Sequence, residues 1–342
     1  MSDPHERVVF AAAHVVAADE RTVDWDATLA FRHHLWSHGL GVAEAMDTAQ
    51  RGMGLDWPAA AELIRRSAAE KAGRICAGVA TDHLTGEASL DDVLKAYLRQ
   101  LEVVQEAGAQ PVLMCSRQLA ACARGPEDYA KVYDTLLDNV SEPVVLHWLG
   151  TAFDPALAGY WGADDVPQAT RNFLEIIHSR PDKVDGVKVS LLDAGHEIGL
   201  RRALPAGVRC YTGDDFNYPE LIAGDEHGHS DALLGIFDPI APVAARALRA
   251  LAAGDTDGFH RIMAPTVPLS RHLFSAPTYY YKTGVVFLAW LAGHQERFLL
   301  LDGLQTARSA EHLAEAKRLA VAAGVVEPEL AERRWQQWLA SR

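Results

Sequence analysis

Short apolar runs rich in β-branched residues alternate with longer amphipathic stretches along most of the chain. The runs are VVFAAAHVVA (8–17), GVAEAMDT (41–48), RICAGVAT (74–81), PVLMCS (111–116), PVVLHWLG (143–150), VDGVKVSL (184–191), RCYTGDD (209–215) and DALLGIFD (231–238). Most are bounded by Gly, Pro, Asp or Ser, the punctuation of buried strands. The stretches between them carry helix signals. WDATLAFRHHLWSHG follows Asp24 and Asp26 and stops at Gly39. Another helix opens at Asp56 with Pro58 just inside. SLDDVLKAYLRQLEVVQEAG ends at Gly108, and GPEDYAKVYDTLLDN follows it.

Strands alternating with helices predict a parallel sheet. Eight such units in roughly 240 residues match a (β/α)8 barrel. After Asp238 only helical patterns remain: PVAARALRALAAG, TYYYKTGVVFLAWLAGH, SAEHLAEAKRLAVAAG and PELAERRWQQWLAS. The first reads as the eighth barrel helix. The expected fold class is α/β, a (β/α)8 barrel over residues 1–255 with a helical C-terminal extension, residues 256–342, packed on it. No repeat of 20–50 residues is evident.

Composition narrows the function. With 49% hydrophobic and 23% charged residues among 342, the chain reads as a globular protein able to bury a core. A net charge of −14 argues against nucleic acid and anionic membrane as partners. No uninterrupted apolar stretch is long enough to span a bilayer. The opening MSDPHERVVF lacks a basic region followed by an apolar run, so no leader is expected. Cys76, Cys115, Cys122 and Cys210 lie far apart with no C-x-x-C pair, as in reduced thiols of a cytoplasmic enzyme.

Barrel chemistry sits at the C-terminal ends of the strands, on side chains that alternate inward. In VDGVKVS, Lys188 shares a face with Gly186 and Ser190, whereas Val187 and Val189 face the helices. A lysine desolvated at the barrel mouth has a lowered pKa and can form a Schiff base with a carbonyl. The competing reading is a snorkelling lysine paired with Asp193 or Asp215. His147 ends strand five and is either a general acid/base or a core histidine. Strand two ends in Asp47, Thr48 and Gln50, and strand seven in Asp214 and Asp215, which either hold substrate hydroxyls or cap helices. Thr81, Asp82, His83, Ser116, Arg117 and Gln118 are further polar mouth residues.

Fifteen histidines raise the question of a metal. The run Glu226–His227–Gly228–His229 precedes strand eight, on the wrong face of a barrel. His33, His34 and His38 do not follow an H-E-x-x-H pattern. A site drawn from His14, His83, His147 and Asp215 has no local spacing in its support. No metal is expected. The absence of a Walker loop and of G-x-G-x-x-G argues against a phosphate-loop or dinucleotide fold. Tyr279, Tyr280 and Tyr281 are expected to pack the extension rather than meet a ligand.

The order of these landmarks resembles the dihydrodipicolinate synthase/N-acetylneuraminate lyase family of class I aldolases, in a divergent branch, over about residues 8–300. VDWDATLAFRHHLWSHGLGVAEAMDTAQRGMGLDWPAAAELIRRSAAEKAGRICAGV is similar to that family's passage from strand one to strand three. There a helix ending in Gly leads to a G-T-T-G-E loop. EPVVLHWLG stands where the family has a strand ending in Tyr-Asn-x-Pro, and VDGVKVS where it has G-x-K-[DE]-[ST]. CYTGDDF is similar to its G-x-D strand and TYYYKTGVVFLAWLAG to its late helix.

The resemblance implies a TIM barrel followed by helices, a homo-oligomer (dimer or tetramer), and no cofactor, because the lysine supplies the electron sink. It implies that Lys188 is the Schiff-base lysine, that Ser190 lines the pocket and that His147 replaces the family's tyrosine in proton transfer. The loop departs from the family: Asp47-Thr48-Ala49-Gln50 stands where two threonines hold a pyruvyl carboxylate. A carboxylate at Asp47 repels another. A neutral polyhydroxylated ketone or aldehyde, bonded by Asp47, Asp215 and Gln50, fits better. The expected activity is lyase or aldolase chemistry on a small carbonyl compound. A metal-dependent sugar isomerase or class II aldolase and a non-catalytic metabolite-binding barrel are the alternatives.

Overall fold

The computed structural model describes residues 7–340, so the opening residues on which the leader expectation rests lie outside it in part. Its strands are β1 (Val9–Ala12), β2 (Gly41–Glu44), β3 (Ile75–Val79), β4 (Gln110–Leu113), β5 (Val144–Leu149), β6 (Val184–Ser190), β7 (Arg209–Thr212) and β8 (Asp231–Leu234). Each pairs in parallel with the next, and β8 returns to β1 through Val9↔Ala232, closing a (β/α)8 barrel. Most strands are shorter than the apolar runs that predicted them. The surplus residues leave the sheet at the C-terminal end and form the loops of the mouth, as where 41–48 gives four strand residues and then a 3-10 turn, Asp47–Ala49.

The helix signals act as read. Asp24 accepts from Ala27 N at the start of Trp25–Ser37, and Asp56 accepts from Ala59 N at the start of Trp57–Ala69. Ser89 and Asp92 make a capping box for Leu90–Glu106. Gly39 and Gly108 take positive φ just after their helices, where a Cβ would be strained.

Alternate strand residues fill the barrel. Phe10, Ala43, Cys76, Val112, Val145 and Leu233 form one inward cluster, while Val187 and Val189 belong to the larger core between strands and helices. Gly186 leaves room for Tyr211, whose ring would lie 2.7 Å from a Cβ there. Beyond the helix Ala241–Ala252, the α-helices Thr256–Met263, Thr266–Leu273, Tyr281–Leu291, Ala310–Ala322 and Pro328–Ala340 follow. The first two of these were not foreseen. Tyr281–Leu291 is buried along its whole length, as its all-round apolar sequence requires. No described helix is long and apolar enough to cross a membrane.

Candidate active site

Strand β6 aims Lys188 inward, as the period-two reading requires, and the side chain is 8% exposed. It lines a narrow cavity of about 10 Å³ with Asp47, Thr48, Ser190, Asp215 and Tyr281; Leu149 and Phe153 supply apolar wall. Among the described residues Lys188 makes no hydrogen bond and no ion pair within 4 Å. Burial lowers its pKa, opposed by the charges of Asp47, Asp215 and then Cys76. The competing partners are accounted for: Asp193 caps the helix Ala194–Ala203, and Asp215 accepts from Ile236 N at 2.9 Å. Burial pushes the Asp215 carboxyl up to about 7 against that hydrogen bond and against the lysine's charge.

His147 points inward at the level of Lys188, its Cα partner across the β5–β6 pair. It is fully buried and does not line the cavity. Its Nε2 lies 3.2 Å from Ser190 Oγ, so Ser190 stands between imidazole and cavity. Burial, and then the lysine's charge, hold its pKa well below the ordinary value. Direct proton transfer from His147 to a substrate is corrected to contact by way of Ser190.

Two other expected residues turn away. Gln50 donates from Nε2 to the carbonyls of Met53 and Leu301, both at 2.9 Å, and its Oε1 accepts from Leu301 N. Its amide is spent on backbone and holds no substrate. Asp214 accepts from the amides of Phe216 and Asn217 and from Asn217 Nδ2, building its own turn. Tyr281 packs as expected and also reaches the cavity, which was not foreseen. Tyr281 stacks on Phe274, with centroids 4.3 Å apart, yet its hydroxyl sits 2.8 Å from Thr48 Oγ1 at the cavity wall. Burial and the Asp47 charge push its phenol well above the ordinary value. Helical periodicity gave no sign that the first residue of Tyr281–Leu291 meets the barrel mouth.

An outer cleft of about 220 Å³ adjoins the cavity over the ends of β3 and β4 and includes Arg51, Thr81, Asp82, Ser116, Arg117 and Gln118. Its arginines are paired: Arg51 forks onto Asp82 at 2.7 Å twice, and Arg117 Nε lies 2.5 Å from Asp154. Thr81 Oγ1 meets Ser116 Oγ at 2.6 Å. His83 bonds Gln100 and lies outside this cleft, and His14 bonds Asp238 and Gln295, so the four-residue set of His14, His83, His147 and Asp215 is not assembled. Among the described residues no three His, Cys, Asp or Glu side chains converge as metal ligands, and the four cysteines are free thiols.

A family model described as "Protein of unknown function (DUF993)" matches residues 1–342. No curated protein matches the sequence. Among solved structures, dihydrodipicolinate synthase from Aquifex aeolicus has a TM-score of 0.73 at 13% identity, covering 94% of this chain and 100% of that one. YagE, a prophage protein of the dihydrodipicolinic acid synthase family from E. coli K12 in complex with pyruvate, has 0.72 at 15%, covering 93% and 99%. The 4-hydroxy-tetrahydrodipicolinate synthase of Methylacidiphilum fumariolicum SolV has 0.72 at 14%, covering 93% and 96%. At these identities the likeness is one of fold, and it is the fold the resemblance implied.

Proposed function

The chain belongs to that family of undescribed activity, and from this premise we propose that it is a class I lyase or aldolase working through a Schiff base on Lys188. The observation that carries the reading is the amine itself. It is buried, it makes no hydrogen bond or ion pair among the described residues, and it faces a narrow cavity beside a carboxyl pushed up to about 7. Desolvation favours the neutral amine, the form that attacks a carbonyl carbon.

Attack gives a carbinolamine, and loss of water gives the iminium. In carbon–carbon cleavage the iminium takes up the electron pair of the bond from its α carbon to the hydroxyl-bearing carbon and becomes an enamine; in dehydration, loss of the α proton gives the enamine, which then expels the β hydroxyl as water. Asp215, protonated below about 7, supplies a proton to the enamine carbon, and water then releases the product. Thr48 and Tyr281 place neutral hydroxyls where a substrate oxygen is held. The substrate proposed is a small, sugar-like carbonyl compound whose carbonyl meets the amine in this narrow cavity.

Borohydride reduction in the presence of dihydroxyacetone, pyruvate and a set of aldoses tests the assignment. The expected result is a mass increase on the peptide containing Lys188 with at least one of them, lost in Lys188→Arg. Labelling with none, read by peptide mass, overturns the mechanism. Turnover that needs a divalent cation and survives Lys188→Arg favours the metal-dependent alternative.

A further inference from the structure

Asp47 and Leu149 are the two residues that line both the inner cavity and the outer cleft. Any substrate reaching from the Lys188 amine into the cleft passes between them. Leu149 is apolar; Asp47 brings a carboxylate that, among the described residues, accepts no hydrogen bond on its side chain. We propose that Asp47 is the general base for carbon–carbon cleavage, and that the substrate is a neutral hydroxy ketone with its ketone half inside and its aldehyde-forming half in the cleft. This rests on the Schiff-base reading of Lys188.

The other groups at the junction are unsuited. Tyr281 already shares its hydroxyl with Thr48, and a buried neutral phenol is a poor base. Asp215 lines only the inner cavity and is tied to Ile236 N. Arg51 and Arg117 are bound to Asp82 and Asp154. The charge pattern also selects the substrate. Among the described residues Lys188 is the one cation lining the inner cavity, and its charge passes to the iminium nitrogen. Lys282 is 2% exposed, with its Nζ on Met53 Sδ and over the Tyr281 ring, and does not line the cavity. A carboxylate beside the carbonyl would meet the Asp47 carboxylate and the Asp215 carboxyl, with no cation on the cavity wall besides the iminium nitrogen itself. A hydroxyl in that place donates to them instead.

The step balances. In the iminium of a hydroxy ketone, the bond between the carbon α to the iminium carbon and the hydroxyl-bearing carbon beyond it breaks. Its electron pair forms the enamine and neutralises the nitrogen. The hydroxyl proton goes to Asp47, and the O–H pair becomes the second bond of the aldehyde, which leaves through the cleft. Asp215 returns a proton to the enamine carbon; hydrolysis frees Lys188 and the ketone. Condensation runs the same path backwards, with protonated Asp47 as acid.

The test uses the full chain with dihydroxyacetone, pyruvate and glyceraldehyde. Wild-type protein is expected to give the Lys188 adduct at a dihydroxyacetone concentration about 10-fold below that needed for pyruvate, and to condense dihydroxyacetone with glyceraldehyde into a six-carbon ketose. In Asp47→Asn the dihydroxyacetone adduct persists, the pyruvate adduct forms about 10-fold more readily, and condensation falls about 100-fold or more. Asp47→Ser is a second neutral variant should the first fail to fold. Equal trapping of both ketones by wild type, absence of ketose from wild type that labels, or wild-type condensation in a folded Asp47 variant overturns the proposal and leaves the Schiff base standing. Failure to label Lys188 with any carbonyl overturns the underlying reading instead.

Discussion

Lys188 and Asp215 face one cavity, and each sets the other's charge. Burial drives the amine toward neutrality and the carboxyl toward protonation; each group's charge pulls the other back. Asp215 has a folded pKa near 7, so it holds its proton below that value and loses it as pH rises through it. A step that takes this proton therefore declines above about pH 7. The amine works in the opposite sense, gaining nucleophilic form as pH rises through its lowered pKa. After Asp47, Asp215 is the next charge that raises the lysine's pKa, so Asp215→Asn is expected to shift the pH profile of borohydride labelling toward acid. Turnover is expected to fall about 100-fold and to lose its decline near pH 7. A labelling profile unchanged in Asp215→Asn would separate the two groups. The inward direction of Lys188 was legible because strand period sorts it with Gly186 and Ser190; its role came only with the family resemblance. The depth of His147 beneath Ser190 was not, because alternation gives direction and not height.

At the scale of elements, the alternation of runs found all eight strands but overran most of their ends. The overrun has a physical cause: residues such as Ala45, Met46 and Ile236 are as buried in the mouth loops as in the sheet, so hydrophobicity does not mark where pairing stops. Close approach does leave a mark, in glycine. Gly213 follows β7, and a Cβ there would lie 2.1 Å from Ser190 Oγ, 2.7 Å from the Val189 carbonyl oxygen and 3.0 Å from Lys188 Cε. The side-chain conflicts can be relieved by rotation, but the backbone oxygen cannot be turned aside. Gly213→Ala is expected to lower stability by about 1–3 kcal/mol and to cut Lys188 labelling about 10-fold by displacing the amine. Thermal unfolding and adduct yield read the two effects. Full labelling in a destabilised variant would show that β7 moves and Lys188 does not.

For the whole molecule, the site is finished by chain that lies far away in sequence. Tyr281 reaches Thr48 across 233 positions, and Leu301 exchanges hydrogen bonds with Gln50 across 251. No local pattern announces such pairings, which is why Gln50 read as a substrate ligand and Tyr281 as packing. The role that replaces the expected one for Gln50 is a tether between the turn after β2 and the segment Leu301–Thr306. Gln50→Ala leaves the buried amide and carbonyl of Leu301 without these partners, a cost of about 1–3 kcal/mol per group. The loss is local, because the barrel ladder does not pass through Gln50. Hydrogen exchange should therefore quicken in the peptide around Leu301 while β4 to β6 keep wild-type protection. Because Thr48 sits two residues from the lost tether, Lys188 labelling should fall with it. Unchanged exchange at Leu301 would refute the tether, and faster exchange with full labelling would show that the cavity closes without it.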